Sequence, residues 1–580
     1  MERCGWRPGA YKLAPMALPG FDIKAVPFSR RGSYLCVSRL GDGGLYLRTV
    51  RGGLDHRQIF RIELTKAGNP VPFSETAAPD ALTLAGDGVR AELVFSDPGR
   101  LRIRVEGGGM RLAVAEVKAG WKTVYALPDA DGRWQVNAFL QESRYMLVPL
   151  HGTLAMDAPW MRSAPDRVVA DFMPAADGIA EGAVDEWQST WGARQVEPFE
   201  KVRAAVAAEF AEWLDKSLPV PSEYESARAL MAYVNWSCLV NPSGRLKRPA
   251  MLMSKNWMTN VWSWDHCFNA MAVAAQDPGL AWDQFMVLFD HADSFGAIPD
   301  SITDRTVVWN WSKPPIHGWT LLELMKQPAL STPDKLKEIY GPLAAWTRWW
   351  IEHRDADGDG ACDYQHGNDS GWDNSTVYDG GCPVEGADLT AFLVIQAGAL
   401  GKVAEKLGHR EESAEWLRER DRLKKVLMAH HWRDGGFICP KSGDHAVADG
   451  DSLINFMPMI LGPDLPADVL QSLIKGLTAP GRFVTDWGCA TESPKSRFYE
   501  TNGYWRGPIW APPMMMICDG LDRAGERDLA RELATRFCRS CAKSGAAENF
   551  DALTGDGLCD RAYTWTSSVF LLLASRFNDR

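Results

Sequence analysis

Residues 199–214, FEKVRAAVAAEFAEWL, mark the point where the hydrophobic pattern of this 580-residue chain changes. Here Val202, Val206, Phe210 and Trp213 recur three or four positions apart, which is the spacing of one face of an α-helix. Apolar and polar residues alternate before this stretch, and helical spacing continues after it. The stretch therefore predicts a boundary between a β-domain and an α-domain near residue 199.

The region before the boundary contains many short alternating segments separated by Gly, Pro, Asp and Asn turns, a pattern that predicts strands. The clearest of these segments are 34–37, 45–50, 58–64, 90–95 and 101–105. Many short strands at this spacing are typical of a sandwich of two sheets. We therefore expect residues 1–198 to form an N-terminal antiparallel β-sandwich domain.

The region after the boundary predicts about twelve further helices, with few and short strands between them. Their expected spans are 223–239, 265–276, 280–294, 317–327, 333–353, 385–407, 410–430, 450–461, 465–477, 504–521, 524–543 and 562–576. Loop lengths vary and no internal repeat is visible, so a solenoid is not favoured. Helices in paired succession favour a toroid of helical hairpins, which we expect to span residues 199–580.

The longest predicted loops, 241–264, 296–316, 354–384 and 479–503, contain most of the Trp, Asp, Asn and Gly residues of this region. In a toroid of paired helices such loops converge on one end of the central cavity, and long polar loops are usually functional. The chain has 25 tryptophans but only 13 tyrosines. Because a tryptophan face stacks on the C–H face of a sugar ring, these loops predict a carbohydrate site.

Four segments carry a family resemblance. They are NWMTNVWSWDHCF at 256–268, KPPIHGW at 313–319, HGNDSGWDNST at 366–376, and the C-terminal pair YWRGPIW at 504–510 and ENFDALTG at 548–555. In this order they resemble the glycoside hydrolase family 63 group, which includes bacterial α-glucosidases and mannosylglycerate hydrolases and is related to trehalases. The resemblance covers about residues 220–577.

The resemblance implies an (α/α)6 barrel that hydrolyses an α-linked glycoside with inversion, using two carboxylic acids and no metal. It implies Asp373 as the general acid and Glu548 as the general base, with Glu492 and Glu500 as rivals for the second role. The residues themselves point the same way, because hydrolysis needs one protonated and one ionised carboxyl group. The indole of Trp372 would desolvate Asp373 and raise its pKa. Without the resemblance, Asp373 reads as a helix cap or turn residue.

Several residues are expected to bind substrate. Trp264 and Asp265 resemble the sugar-binding pair of the family, although Asp265 also fits a helix cap. His317 and Trp319 resemble a substrate-contacting segment, and Arg506 fits either a sugar contact or a structural ion pair. The remaining expected substrate-binding residues are aromatic: Trp372, Tyr504, Trp505, Trp510 and Trp565.

The acidic stretch DADGDGACD at 355–363 resembles the first part of a calcium loop, including its glycine at position six. Its candidate ligands are Asp355, Asp357, Asp359 and Asp363. The twelfth position, where such a loop has Glu, is His366. A structural Ca²⁺ and a tight acidic turn are therefore both open, and no cofactor is required for the chemistry.

The bulk properties exclude several other classes. A net charge of −11 argues against a nucleic-acid partner, and the absence of a long apolar run predicts no membrane span. Residues 1–21 lack the apolar core of a secretory signal, and the 12 cysteines follow no disulfide framework, so we expect a cytoplasmic protein. The sequence carries no indication of oligomeric state.

We therefore expect an inverting, exo-acting glycoside hydrolase that cleaves a short α-linked glucoside or mannoside, either a disaccharide or a glycosylglycerate. One alternative is a sugar epimerase or lyase on the same toroid, which would use His or Tyr to move a proton on carbon. The other is a noncatalytic carbohydrate-binding protein that keeps the tryptophans for stacking.

Overall fold

The computed structural model describes residues 19–53 and 57–577. An antiparallel β-rich region ends at Trp187, and a helical region begins at Phe199, in the stretch where the hydrophobic pattern changes. Residues 1–18, on which most of the expectation about a secretory signal rests, lie outside the described residues.

The β-rich region consists of short strands connected mostly by tight turns. In chain order they are β1 Leu35–Arg39, β2 Leu45–Thr49, β3 Gln58–Lys66, β4 Asn69–Val71, β5 Ser74–Ala77, β6 Leu82–Gly86, β7 Val89–Asp97, β8 Arg100–Glu106, β9 Gly109–Val114, β10 Lys118–Ala119, β11 Lys122–Pro128, β12 Trp134–Ala138, β13 Ser143–His151, β14 Thr153–Asp157, β15 Trp160–Met161, β16 Ala164–Pro165, β17 Val169–Met173 and β18 Ile179–Trp187. The five strands expected most clearly from the sequence are confirmed, with bounds that differ by at most two residues.

Apart from β15 and β16, which pair only with each other, these strands form two large antiparallel sheets around one core. The first sheet has the order β1-β2-β3-β9-β17-β14, with β4 paired to β3, and the second has the order β10-β11-β12-β13-β18-β8-β7-β6-β5. Phe60 and Leu112 of the first sheet belong to the same buried cluster as Leu93 and Ile103 of the second. The alternation of apolar residues along each strand places one face of each sheet in this shared core.

The helical region contains helices separated by long loops. They are α1 Phe199–Lys216, α2 Glu225–Cys238, α3 Asp265–Val273, α4 Pro278–Met286, α5 His317–Leu324, α6 Pro333–His353, α7 Gly367–Ser370, α8 Ala387–Leu407, α9 Arg410–Val426, α10 Ala467–Leu477, α11 Ala511–Arg523, α12 Arg527–Ser544 and α13 Thr564–Arg576, together with a 3-10 segment at Leu453–Asp464. Short strands of two residues lie in the loops.

Six helical segments form a closed cycle of neighbours: α3, α5, α8, the 3-10 segment, α11 and α13, which returns to α3. Helices α2, α4, α6, α9, α10 and α12 pack against members of this cycle. Helix α8 is long and apolar enough to cross a membrane by length and composition, but 83% of its most apolar window is buried in the protein. Its composition is therefore that of a core helix of the cycle.

Three expected helices differ clearly from those observed. The helix expected at 280–294 ends at Met286 and is followed only by a 3-10 turn at Phe289–His291. The helix expected at 504–521 begins at Ala511, because Tyr504 and Gly507 have positive φ angles of 62° and 154° and Ile509–Trp510 forms a strand. The helix expected at 450–461 is the 3-10 segment Leu453–Asp464, which contains Pro458 and is broken at Gly462. A proline inside a helix removes a backbone donor, which disfavours regular α-helical hydrogen bonding there.

Candidate active site

The candidate site lies where several helices of the cycle begin. Trp264 immediately precedes α3 and Asp265 begins it, Trp510 precedes α11, and Tyr563 precedes α13. These residues share one cavity of about 220 Å³. Its wall consists of Met258, Trp262, Trp264, Asp265, Asp300, Trp311, Lys313, Asn368, Gly371, Asp373, Tyr504, Trp505, Trp510, Tyr563 and Trp565.

Two small sheets bring distant loops to this cavity. Val261–Trp262 pairs with Ser301–Ile302, and the N–H of Ser263 donates to the carbonyl of Asp300 at 2.9 Å, so Asp300 lies close to Trp264. In the second sheet Ile509–Trp510 pairs with Asn549–Phe550. This pairing places Glu548, the residue before its strand, next to the loop that carries Tyr504.

Asp373 follows the short helix α7 in a loop that is tied to its surroundings by Asp369. The buried Asp369 carboxylate accepts hydrogen bonds from the N–H groups of Ser312 at 2.8 Å and Gln365 at 2.9 Å. It therefore joins the loop of Lys313 to the loop of Asp373. Burial raises the pKa of Asp373 above its ordinary value, and the positive charges of Lys313 and His366 partly oppose this shift.

Glu548 does not belong to the cavity wall but reaches it through Tyr504. Its Oε1 accepts a hydrogen bond from the Tyr504 hydroxyl at 3.2 Å, and its Oε2 accepts one from the Asp560 N–H at 3.3 Å. The pKa of Glu548 is raised to about 7, mainly by burial and also by the charges of Asp560 and Asp373, and the two hydrogen-bond donors only partly oppose this shift. Asp373 and Glu548 are thus close enough to influence each other electrostatically.

A buried charged group completes the polar part of the cavity. Lys313 Nζ lies 3.1 Å from Asp300 Oδ1 and donates to the carbonyl of Asn368. Burial raises the pKa of both Asp265 and Asp300, and Lys313 lowers both. Because carboxylates and a lysine hold hydroxyl groups in fixed positions, this group is suited to binding a polyhydroxylated ligand.

The apolar part of the cavity is a wall of tryptophans. Trp505 and Trp510 are stacked with ring centroids 4.1 Å apart and an angle of 7° between their planes. Trp565 meets Trp510 edge-on at 5.5 Å and Trp264 edge-on at 5.8 Å. Flat aromatic faces beside carboxyl groups suit a sugar ring, which has apolar C–H faces and polar edges.

The structure brings seven of the sequence-predicted residues to the cavity wall: Trp264, Asp265, Asp373, Tyr504, Trp505, Trp510 and Trp565. Glu548 is adjacent through its bond to Tyr504. Neither rival carboxyl lines the cavity. Glu492 is buried and accepts a hydrogen bond from the Thr376 hydroxyl at 2.8 Å, and Glu500 is exposed.

Four predicted substrate-binding residues lie away from the cavity wall, and these expectations are corrected. His317 is buried within the helical core, with its ring 5.2 Å from those of His266 and Phe289, because it faces inward at the first turn of α5. Trp319 points into the same helical packing and donates through Nε1 to Asp519 at 2.9 Å. Neither residue is in the lining of the cavity.

The other two lie behind the wall and support it. Trp372 is buried and packs against Trp505 with ring centroids 4.8 Å apart. Arg506 donates through Nε to the carbonyl of Asn374 at 2.7 Å and forms an ion pair with Asp379, which matches the structural alternative for this residue.

Sequence reasoning missed Lys313, Asp300, Asn368 and Tyr563 as residues of the cavity. Lys313 begins one of the four segments that carry the family resemblance, so its position was available as a signal. Asp300 and Tyr563 have no distinguishing local pattern, and only the small sheets and the closed cycle of helices bring them to the site.

The acidic stretch at 355–363 lies outside the cavity wall. Asp355, Asp357 and Asp359 place one oxygen each within 4.8 Å of one another. Asp355 accepts the N–H groups of Gly358 and Gly360, and Asp363 accepts the N–H of Ala356 at 2.8 Å. His366, at the twelfth position, accepts the Asn368 N–H and is the N-cap residue of α7. These hydrogen bonds are those of a tight acidic turn, and a calcium ion there stays a prediction.

Comparison with known proteins identifies relatives of the helical region. The family described as the mannosylglycerate hydrolase MGH1-like glycoside hydrolase domain matches residues 258–566, which include every residue of the cavity wall and Glu548. A mannosylglycerate hydrolase of Rubrobacter radiotolerans is 23% identical over 403 residues, covering 53% of this chain and 89% of that protein. A glucosylglycerate hydrolase of Mycolicibacterium hassiacum is 23% identical over 406 residues, covering 54% and 91%. The predicted resemblance to the family 63 group is confirmed.

The fold of the whole chain is similar to that of a bacterial glucoamylase solved in complex with acarbose. The TM-score is 0.62 with 11% sequence identity, and the alignment covers 98% of this chain and 96% of that one. At this identity the likeness concerns the fold alone. It includes the β-rich region as well as the helical region.

Proposed function

The chain belongs to the mannosylglycerate hydrolase MGH1-like glycoside hydrolase family, and we propose that it hydrolyses a short α-linked glucoside or mannoside with inversion at the anomeric carbon. One observation carries this proposal. Asp373 lies in the wall of a single cavity, and Glu548 is hydrogen-bonded to Tyr504 of the same wall. Tryptophans line the cavity beside these groups. The proposal includes an (α/α)6 barrel, supported by the closed cycle of helices.

In the proposed reaction Asp373 is the general acid and Glu548 the general base. The protonated carboxyl of Asp373 donates its proton to the glycosidic oxygen, and the ionised Glu548 removes a proton from the water that attacks from the opposite face of the sugar. Burial keeps the pKa of Asp373 above its ordinary value, which suits an acid. Burial raises the pKa of Glu548 to about 7 although the hydrogen bonds from Tyr504 and Asp560 favour the ionised form, so Glu548 is expected to act as a base above that pH.

The size of the cavity supports exo-cleavage of a small substrate. At about 220 Å³ it is smaller than the pockets of roughly 300–1,000 Å³ that hold drug-sized ligands. A single sugar ring between the tryptophan wall and the group of Asp265, Asp300 and Lys313 fits this volume better than several linked sugars do. The aglycone then projects towards Trp311, which is 39% exposed.

Two kinds of aglycone are compatible with the proposed site. The named activities of the two relatives favour glycerate, whose carboxylate needs a cation. Lys313 is the cation among the described residues of the wall, and it already has Asp300 as a partner at 3.1 Å. Because Lys313 already has this partner, a neutral aglycone is the second candidate, and the substrate would then be a disaccharide.

The epimerase and lyase alternatives are less well supported. An epimerase or lyase that used a histidine would need it beside the substrate, but His266 and His317 lie in the helical core, and burial lowers the pKa of His266 to about 4. A cytoplasmic location is also proposed. It is supported by the cysteines, since the eleven in the part of the chain that the structure describes are all unpaired.

A substrate panel tests the proposal. Purified protein is incubated with mannosylglycerate, glucosylglycerate and α-linked disaccharides of glucose and mannose, and released sugar is measured for the wild type, Asp373→Asn, Glu548→Gln and the exposed control Glu500→Gln. We expect hydrolysis of at least one substrate, with kcat lowered about 10²–10⁴-fold in the first two variants and unchanged in the control. An unsaturated or epimerised product, or full activity in either variant, would contradict the proposal.

A further inference from the structure

A second cluster of titratable side chains lies outside the cavity, where four chain segments meet. It consists of Asp359 from the acidic turn, Glu385 just before α8, His430 in the π-helical turn Leu427–His431 after α9, and His445 from the following loop. One potential ligand atom from each residue lies within 4.8 Å of the others. None of the four lines the cavity.

Both histidines face carboxylates. The two ring nitrogens of His430 lie 3.3 Å from Asp359 Oδ2 and 2.5 Å from Glu385 Oε2. Nε2 of His445 lies 3.6 Å from Asp359 Oδ2 and 3.9 Å from Glu385 Oε1. Imidazole nitrogens and carboxylate oxygens thus converge on a common point, which is the donor set of many zinc sites.

An independent observation comes from Glu385, which is fully buried. Its Oε1 points into the cluster and accepts no hydrogen bond within the residues that the structure describes. The Ser442 hydroxyl is close enough to lower the pKa of the carboxyl but makes no hydrogen bond of normal geometry to Oε1. A buried carboxylate oxygen without a donor is costly, and a bound cation would satisfy it.

We propose that Asp359, Glu385, His430 and His445 form a binding site for a divalent transition-metal ion such as Zn²⁺. Zinc bonds of about 2.0–2.2 Å place tetrahedral ligand atoms about 3.4 Å apart, so the four atoms approach one another by roughly 1 Å on binding. Two imidazole ligands distinguish this site from a calcium loop, whose ligands are all oxygens.

The remaining contacts are those expected around such a site. One ring nitrogen of His430 binds the metal while the other keeps its carboxylate partner, which orients the ring. Asp357 Oδ2 accepts from His445 Nε2 at 3.1 Å and from the Gly443 N–H at 2.8 Å, so it holds the loop of His445. Metal binding needs the lone pair of His445 Nε2, so the ring proton moves to Nδ1 and the hydrogen bond from Nε2 to Asp357 is broken, while the Gly443 N–H keeps its bond to Asp357.

The proposed metal connects three segments. They are the acidic turn that leads into the loop of Asp373, the residues just before α8, and the residues just after α9. Its expected role is structural, and it is independent of the proposed hydrolysis, so either proposal can fail alone.

Metal titration of the full chain tests the proposal. The protein is first treated with a chelator, which is then removed. It is titrated with Zn²⁺ and, separately, with Co²⁺, whose visible absorption spectrum reports nitrogen and oxygen ligands. We expect one ion per chain and a rise in melting temperature with Zn²⁺. In His430→Ala and His445→Ala the affinity should fall at least about tenfold.

Two control variants distinguish binding at this site from binding at a surface histidine or at the neighbouring acidic turn. His409→Ala removes a histidine that also faces a glutamate, with His409 Nδ1 lying 3.6 Å from Glu412, and it should leave Zn²⁺ binding unchanged. Asp355→Asn removes a carboxylate of the calcium-like turn but none of the four proposed ligand side chains, so it should weaken Zn²⁺ binding less than either histidine variant does.

Three results would overturn the proposal: no stoichiometric Zn²⁺ or Co²⁺ binding, binding unaffected by both histidine variants, or Ca²⁺ binding that depends on Asp355 and not on the histidines. If the alanine variants fail to fold, Glu385→Gln and the Co²⁺ spectrum of the wild type decide instead, since a spectrum without imidazole ligation counts against the site.

Discussion

At the residue scale, the protonation of Glu548 depends on its two hydrogen-bond donors. The Tyr504 hydroxyl and the Asp560 N–H both stabilise the ionised carboxylate, against the effect of burial. Tyr504 is held with a left-handed φ of 62°, a conformation that is strained for a bulky side chain and is found where the surrounding structure enforces it. The contact with Glu548 is therefore built into the loop.

The pH dependence of kcat/KM should report this arrangement. Glu548 must be ionised to act as a base, so activity is lost as the pH falls through its pKa, which is about 7 instead of the ordinary 4.5. In Tyr504→Phe the lost donor raises this pKa, and the acidic limb moves to higher pH. If the acidic limb of kcat/KM lay near pH 4.5 in the wild type, or moved to lower pH in Tyr504→Phe, Glu548 would not be the group whose ionisation controls that limb.

Lys313 acts on the proposed acid, Asp373, in the same direction as the Tyr504 hydroxyl acts on Glu548. Its positive charge lowers the pKa of Asp373, and also those of Asp265 and Asp300. Asp373 must be protonated to act, so activity is lost as the pH rises through its pKa. In Lys313→Met that pKa rises, and the alkaline limb of kcat/KM should move to higher pH while KM increases. An unchanged alkaline limb would show that Lys313 does not influence the pKa of the proposed acid.

At the element scale, Asp369 connects the loop of Lys313 to the loop of Asp373. Besides the N–H groups of Ser312 and Gln365 it accepts the His366 N–H at 3.2 Å, and it lies 3.3 Å from Arg354. Asp369→Asn places an amide donor against these donors, so we expect a loss of at least about 2 kcal/mol in stability together with a lower kcat. Chemical denaturation and kinetics check this, with the exposed Asp486→Asn as a control. Wild-type stability in Asp369→Asn would contradict the role assigned to this carboxylate.

The elements themselves were largely predictable because their hydrophobic periods are strong. The sequence predicts α6 at 333–353 with both bounds observed, since apolar residues recur on one face of that helix. It fails at 504–510, where an apolar, aromatic stretch next to α11 resembles the start of a helix. The strand pairing of Trp510 with Asn549 and the left-handed Tyr504 prevent helix there, and both depend on distant parts of the chain.

The site was predictable to the extent that its residues lie in recognisable motifs. Asp373 and Trp264 belong to such motifs and line the cavity, but His317 belongs to one and faces the helical core. A motif specifies the residue types and their order, whereas the rotation of α5 decides which of its side chains reach the cavity. Asp300 was missed for the converse reason, because a sheet pairing brings an ordinary aspartate to the site.

At the scale of the whole molecule, a largely buried ion-pair group joins the β-rich and helical regions. Arg51 bonds to Glu186 at 3.0 Å and to Asp304 of the helical region at 3.1 Å, and its guanidinium lies over the ring of Tyr34. Arg51→Met removes the cation that both carboxylates share, leaving Asp304 with only the more distant Arg305 at 3.7 Å, and should cost about 3–5 kcal/mol, whereas Arg51→Lys should cost less. Calorimetry of both variants checks this, and an unchanged unfolding transition in Arg51→Met would show that the group does not hold the regions together.

The β-rich region also contacts the catalytic side of the molecule. Asn256 Nδ2 lies within hydrogen-bonding distance of the Ala25 carbonyl at 2.9 Å and of Asp560 Oδ1 at 3.0 Å, and the Asp560 N–H in turn donates to Glu548. The position of Glu548, the proposed base, therefore depends on a contact from the N-terminal region to the candidate site. This long-range connection could not be predicted from the sequence, because nothing in the local pattern around Ala25 indicates a partner in the helical region.

In the proposed mechanism Asp373 and Glu548 act on opposite sides of the sugar, and the anomer released first tests this arrangement most directly. A time course by NMR follows hydrolysis of the best α-linked substrate from the panel, before the free sugar equilibrates. The mechanism predicts that the β-anomer appears first and that Asp373→Asn and Glu548→Gln each abolish its release. Initial release of the α-anomer would contradict the mechanism, because it requires a covalent intermediate instead of a direct attack by water.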